Sequence, residues 1–230
     1  MTENTLPTHV GIILDGNRRW AKKHGIPNLE GHRKGAEVFK EISLAAFEKG
    51  IKFLSAFVFS TENWKRTEEE ISYLMKLLLK AVERYLDEYN KLGVKILVIG
   101  QRENLSQGVT KAIEKAESKT KDNSQATLVL CFNYGGQQEI IDAVKQIMKN
   151  GIKPEAVDQA KIEQYLYSPE IPQLDLLIRT SGEQRTSGFM LWRAAYAELL
   201  FVKKCWPDFT ITDLDDVVHE YNKRSRRFGG

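Results

Sequence analysis

The 230-residue chain is predicted to fold as a single α/β domain, a mostly parallel sheet of about six strands flanked by helices. Two observations carry this expectation. Short apolar runs alternate with amphipathic stretches from one end to the other, the order that lays crossover helices over both faces of a parallel sheet. Polar and charged residues then gather just after the carboxyl ends of those runs, where open parallel sheets collect their ligands. The chain is 42% hydrophobic and 28% charged, with no repeat or low-complexity linker, so nothing divides residues 1–230 into smaller units.

The first strand is expected at 10–14, an apolar run that breaks into the turn signature Asp15-Gly16-Asn17 and then Arg18, Arg19 and Trp20. Further strands are expected at 53–60, 94–99, 127–133, 174–179 and 199–202. The clearest helix starts at Thr67. Thr67-x-x-Glu70 has the form of a capping box, and Ile71, Leu74, Met75, Leu78, Val82, Leu86 and Tyr89 recur at helical spacing before Gly93 stops it. Residues 117–125 are polar and expected as an exposed loop, and 149–154 as a connection.

Composition excludes several classes. A net charge of +3 is too small to mark a nucleic-acid partner. Cys131 and Cys205 sit in apolar surroundings without metal-ligand spacing, which suits a reducing, cytoplasmic setting. The N-terminus lacks a basic region followed by an apolar one, and no apolar run approaches the ~18 residues of a spanning helix, so at most peripheral contact with the inner face of a membrane is expected. Phosphate-loop, dinucleotide, nucleophile-elbow and D-D-x-x-D motifs are missing.

Three clusters can carry chemistry. In the first, Asp15 offers an oxygen ligand to a hard cation, while Gly16 and a following helix N-terminus suit an anion. The second, Ser60 to Arg66, combines hydroxyl, carboxylate, amide and guanidinium after a strand, with Trp64 also open to a packing role. The third runs from Ile178 to Trp192, where Arg179, Arg185 and Ser187 form a donor set for phosphate oxygens. Glu198, beside an expected buried strand, is either salt-bridged or a second cation ligand. His32 opens a helix and could bind an anion; His9, His24 and His219 are read as surface or structural. The basic tail 222–230 is either frayed or docked.

Together the stretches H-V-G-I-I-L-D-G-N-R-R-W, G-H-R-K-G, F-S-T-E-N-W-K-R, N-Y-G-G, I-R-T-S-G-E-Q-R-T-S-G-F, A-Y-A-E-L and R-R-F-G-G resemble the cis-prenyltransferases, of the bacterial undecaprenyl diphosphate synthase kind, in order and over nearly the whole chain. That resemblance implies a parallel α/β sheet with an apolar tunnel, a homodimer, and Mg²⁺-dependent condensation of isopentenyl diphosphate onto an allylic diphosphate such as farnesyl diphosphate. It implies catalytic roles for Asp15 and Asn63 and a metal role for Asp15 and Glu198. Gly16, Asn17, Arg18, Arg19, Trp20 and His32 correspond to the allylic diphosphate cradle. Ser60, Thr61, Glu62, Trp64 and Arg66 correspond to the substrate loop, and Arg179, Arg185, Thr186 and Ser187 to the isopentenyl diphosphate site. Arg226, Arg227 and Gly229 correspond to a motif reaching the neighbouring subunit. Because a neutral amide is a very poor base, Asn63 is expected to orient, with a diphosphate oxygen taking the proton. Val58 is a candidate constriction of the tunnel. Two positions depart from the family pattern: Asn28 stands where many members carry arginine, and Gln184 where histidine is frequent. The alternative is a non-catalytic binding subunit, which would lack the acid and arginines of the first motif.

Overall fold

The computed structural model describes residues 6–224. Its elements run β1 (His9–Ile13), α1 (Asn17–Lys23), α2 (Asn28–Glu48), β2 (Phe53–Ser60), a 3₁₀ turn (Thr61–Lys65), α3 (Glu68–Lys91), β3 (Val94–Ile99), α4 (Gln107–Thr120), β4 (Ala126–Tyr134), α5 (Gly136–Lys149), α6 (Gln159–Tyr165), β5 (Leu176–Arg179), β6 (Glu198–Phe201) and α7 (Ile211–Asn222). Six parallel strands form one sheet in the order β3-β4-β2-β1-β5-β6. The chain builds outward from β1 to one side through β2 and to the other through β5, so the carboxyl end of β1 is a topological switch point.

Alternation along each strand sends side chains to two cores. Val10 and Ile12 of β1 join Leu54, Phe59, Leu128 and Phe132 on the face covered by α2, α3 and α7. Ile13 points the other way, with Val129, Cys131, Leu177, Phe189 and Met190. Among the described residues no helix is long and apolar enough to cross a membrane.

Strand ends shift by one or two residues from those expected, because pairing rather than hydrophobicity sets them. β1 begins at His9 since that residue pairs Phe53, and β6 begins at Glu198 since it pairs Leu176. The stretch 117–125 is a correction: α4 continues to Thr120. Its polar side chains serve edge strand β3, whose Val98 N–H is taken by the Glu117 carboxylate at 2.8 Å and whose Ile96 N–H by Thr120 Oγ1 at 2.9 Å. Those partners stop the edge from offering a free ladder. Thr67 does cap α3, accepting from Glu70 N–H at 3.3 Å, and Gly93 ends it with φ of +68°. The reciprocal half of the box is not made, because the Glu70 carboxylate turns to Arg66 and His32.

Candidate active site

Asp15 follows β1, and its carbonyl is pinned from two sides, by the Trp206 N–H at 2.9 Å and the Thr180 hydroxyl at 2.7 Å. Gly16 then adopts φ of +104°, and a Cβ there would stand 2.9 Å from Cys205 Cβ and Ser181 Oγ, so no larger residue fits this turn. The turn delivers the carboxylate between two arginines. Arg19 meets Oδ1 at 3.1 Å and Arg179 meets Oδ2 at 2.9 Å. Burial pushes the Asp15 carboxyl up, but the hydrogen bond and charge of Arg179, with Arg19, outweigh it and hold the group below the usual carboxylate range.

Arg179 closes β5 and is almost wholly buried. Its Nη1 also donates to the Arg185 carbonyl at 2.6 Å and to Ser187 Oγ at 2.7 Å, leaving Nε without a partner among the described residues. The loop it opens is strained: Ser181, Ser187 and Met190 all have positive φ. It is stitched to the end of β6 by Ser181 N–H to the Lys204 carbonyl and Gly182 N–H to the Val202 carbonyl. Glu183 of this loop lies between Arg19, at 2.8 Å, and Arg185, so one carboxylate bridges the two arginine groups.

A second acid organises the other side of the mouth. Glu70, which sequence reasoning read only as a cap, is buried and accepts from Arg66 at 2.7 Å and His32 Nε2 at 3.1 Å, with Arg18 at 3.9 Å. Three elements are thereby tied to one carboxylate. Burial opposes its ionisation, but Arg66, His32 and Arg18 keep it below its ordinary value. His32 is itself pushed down, chiefly by burial, against the Glu70 hydrogen bond. The expected anion-binding histidine thus directs Nε2 at the Glu70 carboxylate.

Behind this mouth lies a cavity of about 690 Å³ between the sheet and helices α2, α3 and α4. Its inner walls are apolar: Val58, Leu78, Tyr85, Leu128 and Phe132 are among them. Of the expected site residues, Asp15, Asn17, Arg19, His32, Ser60, Glu62, Asn63, Arg66, Arg179, Arg185 and Ser187 line it. Asn63 is engaged in organising its own turn, its Oδ1 accepting the Ser60 N–H at 3.1 Å.

The remaining expected residues point elsewhere. Trp20 donates to Asp208 at 2.7 Å and packs on His24, because α1 turns that face toward the 206–208 turn. Arg18, 3.9 Å from Glu70, also borders an open depression with Lys22 and Asn28. Trp64 donates to Asn133, Thr61 abuts Gly135, and the Thr186 carbonyl accepts the Phe189 N–H. Glu198 sits at the amino end of β6 and pairs Arg224 at 2.7 Å; Phe201, three residues on, is the level of Arg179. At strand rise, that separates Glu198 by about 10 Å from the edge where Asp15 lies. Among the described residues no three His, Cys, Asp or Glu side chains cluster as a metal cage. The tail residues Arg226, Arg227 and Gly229 lie outside the described residues.

The Prenyltransf family model, that of undecaprenyl diphosphate synthase, matches residues 13–229. The isoprenyl transferase of Thermotoga maritima is 48% identical over 98% of this chain and 97% of its own length. Decaprenyl diphosphate synthase of Mycobacterium tuberculosis is 46% identical over 97% of this chain and 77% of its own. The crystal structure of lavandulyl diphosphate synthase from Lavandula x intermedia, with dimethylallyl diphosphate, superposes with a TM-score of 0.94 at 33% identity, covering 98% of this chain and 99% of that one. The parallel sheet, the arginine-flanked acid and these likenesses agree, and the chain belongs to the undecaprenyl diphosphate synthase family of cis-prenyltransferases.

Proposed function

We propose that this chain is an elongating cis-prenyltransferase, adding isopentenyl diphosphate to an allylic diphosphate, farnesyl diphosphate being the expected primer, to give a Z-polyprenyl diphosphate. The observation that carries the reading is Asp15. It is an ionised carboxylate with an arginine on each oxygen, at the mouth of an apolar cavity long enough to run under α3. Two anions and one hydrocarbon chain are what such a mouth accommodates.

The donor set fits Mg²⁺, since that ion is usually held by one or two carboxylates together with substrate phosphates rather than by an all-protein cage. Asp15 would hold it, and the bound ion would neutralise charge on the departing diphosphate. Arg19, with Arg66 nearby, would take the allylic diphosphate, whose C–O bond breaks with the electron pair leaving on oxygen. Arg179, Arg185 and Ser187 would hold isopentenyl diphosphate so that its double bond attacks the allylic carbon. A proton then leaves C2 of the isopentenyl unit. Asn63, neutral and already accepting from Ser60, orients the reactants, and a diphosphate oxygen takes the proton. The apolar walls exclude water that would otherwise capture the allylic cation. The cavity serves as the tunnel for the growing chain.

A homodimer is supported by an outward stripe on α5, where Ile141, Val144 and Met148 are exposed at helical spacing. Within one chain Glu198 cannot share an ion with Asp15, so a metal role for it requires a second copy.

Purified protein incubated with Mg²⁺, farnesyl diphosphate and labelled isopentenyl diphosphate tests the reading. Labelled lipid that disappears when Mg²⁺ is chelated is the expected result. No lipid product from the protein alone would leave it a binding subunit.

A further inference from the structure

The stretch Asn133-Tyr134-Gly135-Gly136, at the junction of β4 and α5, has no part in the reaction above, yet its contacts converge on the substrate loop. Asn133 is buried and holds φ of +51°, a left-handed conformation that asparagine tolerates better than most residues. Its side chain is fully used. Oδ1 accepts the Trp64 indole N–H at 2.8 Å, and Nδ2 donates to the carbonyls of Gln101 and Glu103, both at 3.0 Å. Indole can only donate and carbonyls can only accept, so a single orientation of the amide satisfies all three. The backbone carbonyl of Asn133 also accepts the Gln101 N–H at 3.0 Å, anchoring the residue to the turn after β3.

Trp64 sits inside the Thr61–Lys65 turn, whose neighbours Ser60, Glu62, Asn63 and Arg66 line the cavity mouth. Its ring packs edge-on against Phe59 at 5.3 Å. Gly135 removes the obstacle on the same side, since a Cβ there would stand 2.8 Å from Thr61 Oγ1. The same loop is also held by its own Ser60–Asn63 cap and by the Arg66–Glu70 ion pair at 2.7 Å, neither of which involves Asn133.

We infer that Asn133 is a positioning residue, whose bond to the Trp64 indole latches the 60–66 loop over the cavity mouth and so places its side chains against the substrates. The kinetic consequence rests on the prenyl-transfer reading; the conformational one does not. The loop carries two trypsin sites, Lys65 and Arg66, which report its release directly.

The test uses the full-length chain in three variants. Asn133→Gly keeps the left-handed backbone accessible and removes the amide. Trp64→Phe keeps an aromatic ring on Phe59 and removes the indole donor together with one fused ring. Native-state trypsin nicking at 65–66 should accelerate about tenfold in Trp64→Phe, the effect of one lost hydrogen bond, and by at least as much in Asn133→Gly, which also loses the bonds to Gln101 and Glu103, with circular dichroism unchanged. kcat should fall by a similar factor at unaltered isopentenyl diphosphate KM, and the double variant should be no worse than the worse single one. Wild-type nicking and turnover in Trp64→Phe, or losses that multiply in the double variant, would overturn the latch. An inactive wild-type enzyme would instead refute the function while leaving the nicking comparison decisive.

Discussion

Asp15, Arg19, Arg179 and Arg185 form one electrostatic unit, because Asp15 and Glu183 each pair with two of them or bridge between them. Replacing Asp15 by Asn keeps the shape and an acceptor for Arg179 but removes the charge. Turnover should fall by roughly 100-fold or more while allylic diphosphate still binds, since the lost interaction is strongest as charge develops. Steady-state kinetics with equilibrium binding separates the two, and near-normal kcat would refute the assignment. Arg185→Ala should weaken isopentenyl diphosphate more than the allylic substrate, and Arg19→Ala the reverse, each by about 1.5–3 kcal/mol for a charge-assisted contact. The shared Glu183 adds a condition: the double variant should lose less than the sum. Equal losses for both ligands in both single variants would mean one undivided basic cleft.

Elements differ in how far their sequence announces them. The strands were legible because each is a short apolar run, and all six are present in parallel. Their ends were less so, since His9 and Glu198 join strands through pairing partners far along the chain. The motif residues around Asp15, Arg66 and Arg179 do converge, because each follows the carboxyl end of a strand. Glu70 was misread for a local reason: spacing from Thr67 shows a cap, and only the fold shows His32 and Arg18 beside it. Trp20 and Glu198 were placed in the site by family position, but α1 turns one toward Asp208 and the strand register carries the other to the opposite edge. At this scale Gly136 makes a sharp prediction. Its N–H donates to the Gly188 carbonyl at 2.9 Å, and a Cβ there would lie 2.4 Å from that oxygen. Gly136→Ala should push the 181–188 loop from Arg179 and raise the KM for isopentenyl diphosphate severalfold, with little change for the allylic substrate. An unmoved KM would show that the loop absorbs the methyl freely.

For the molecule as a whole, the buried histidine of β1 sets an acid limit. His9 donates from Nδ1 to the Pro172 carbonyl at 2.9 Å and accepts at Nε2 from the Ser55 hydroxyl at 2.7 Å, and burial pushes its pKa down to about 4. Unfolded, it titrates near 6.5. Between those values the unfolded chain binds the extra proton, so stability is full above pH 6.5 and declines as pH falls toward 4, by roughly 3 kcal/mol. His32, shifted the same way, adds to the decline. Urea unfolding across this range should show it, and His9→Gln should flatten the slope; an unchanged slope would remove His9 from the account.

The cavity beneath α3 has a mechanical consequence. Leu74, Leu78, Val82 and Tyr85 of α3 face that cavity rather than a filled core, so the helix has fewer packed neighbours along this side. Native-state hydrogen exchange should therefore open α3 before the strands it covers. A long alkyl chain seated against those walls should slow that exchange, making the lipid part of what holds the helix in place.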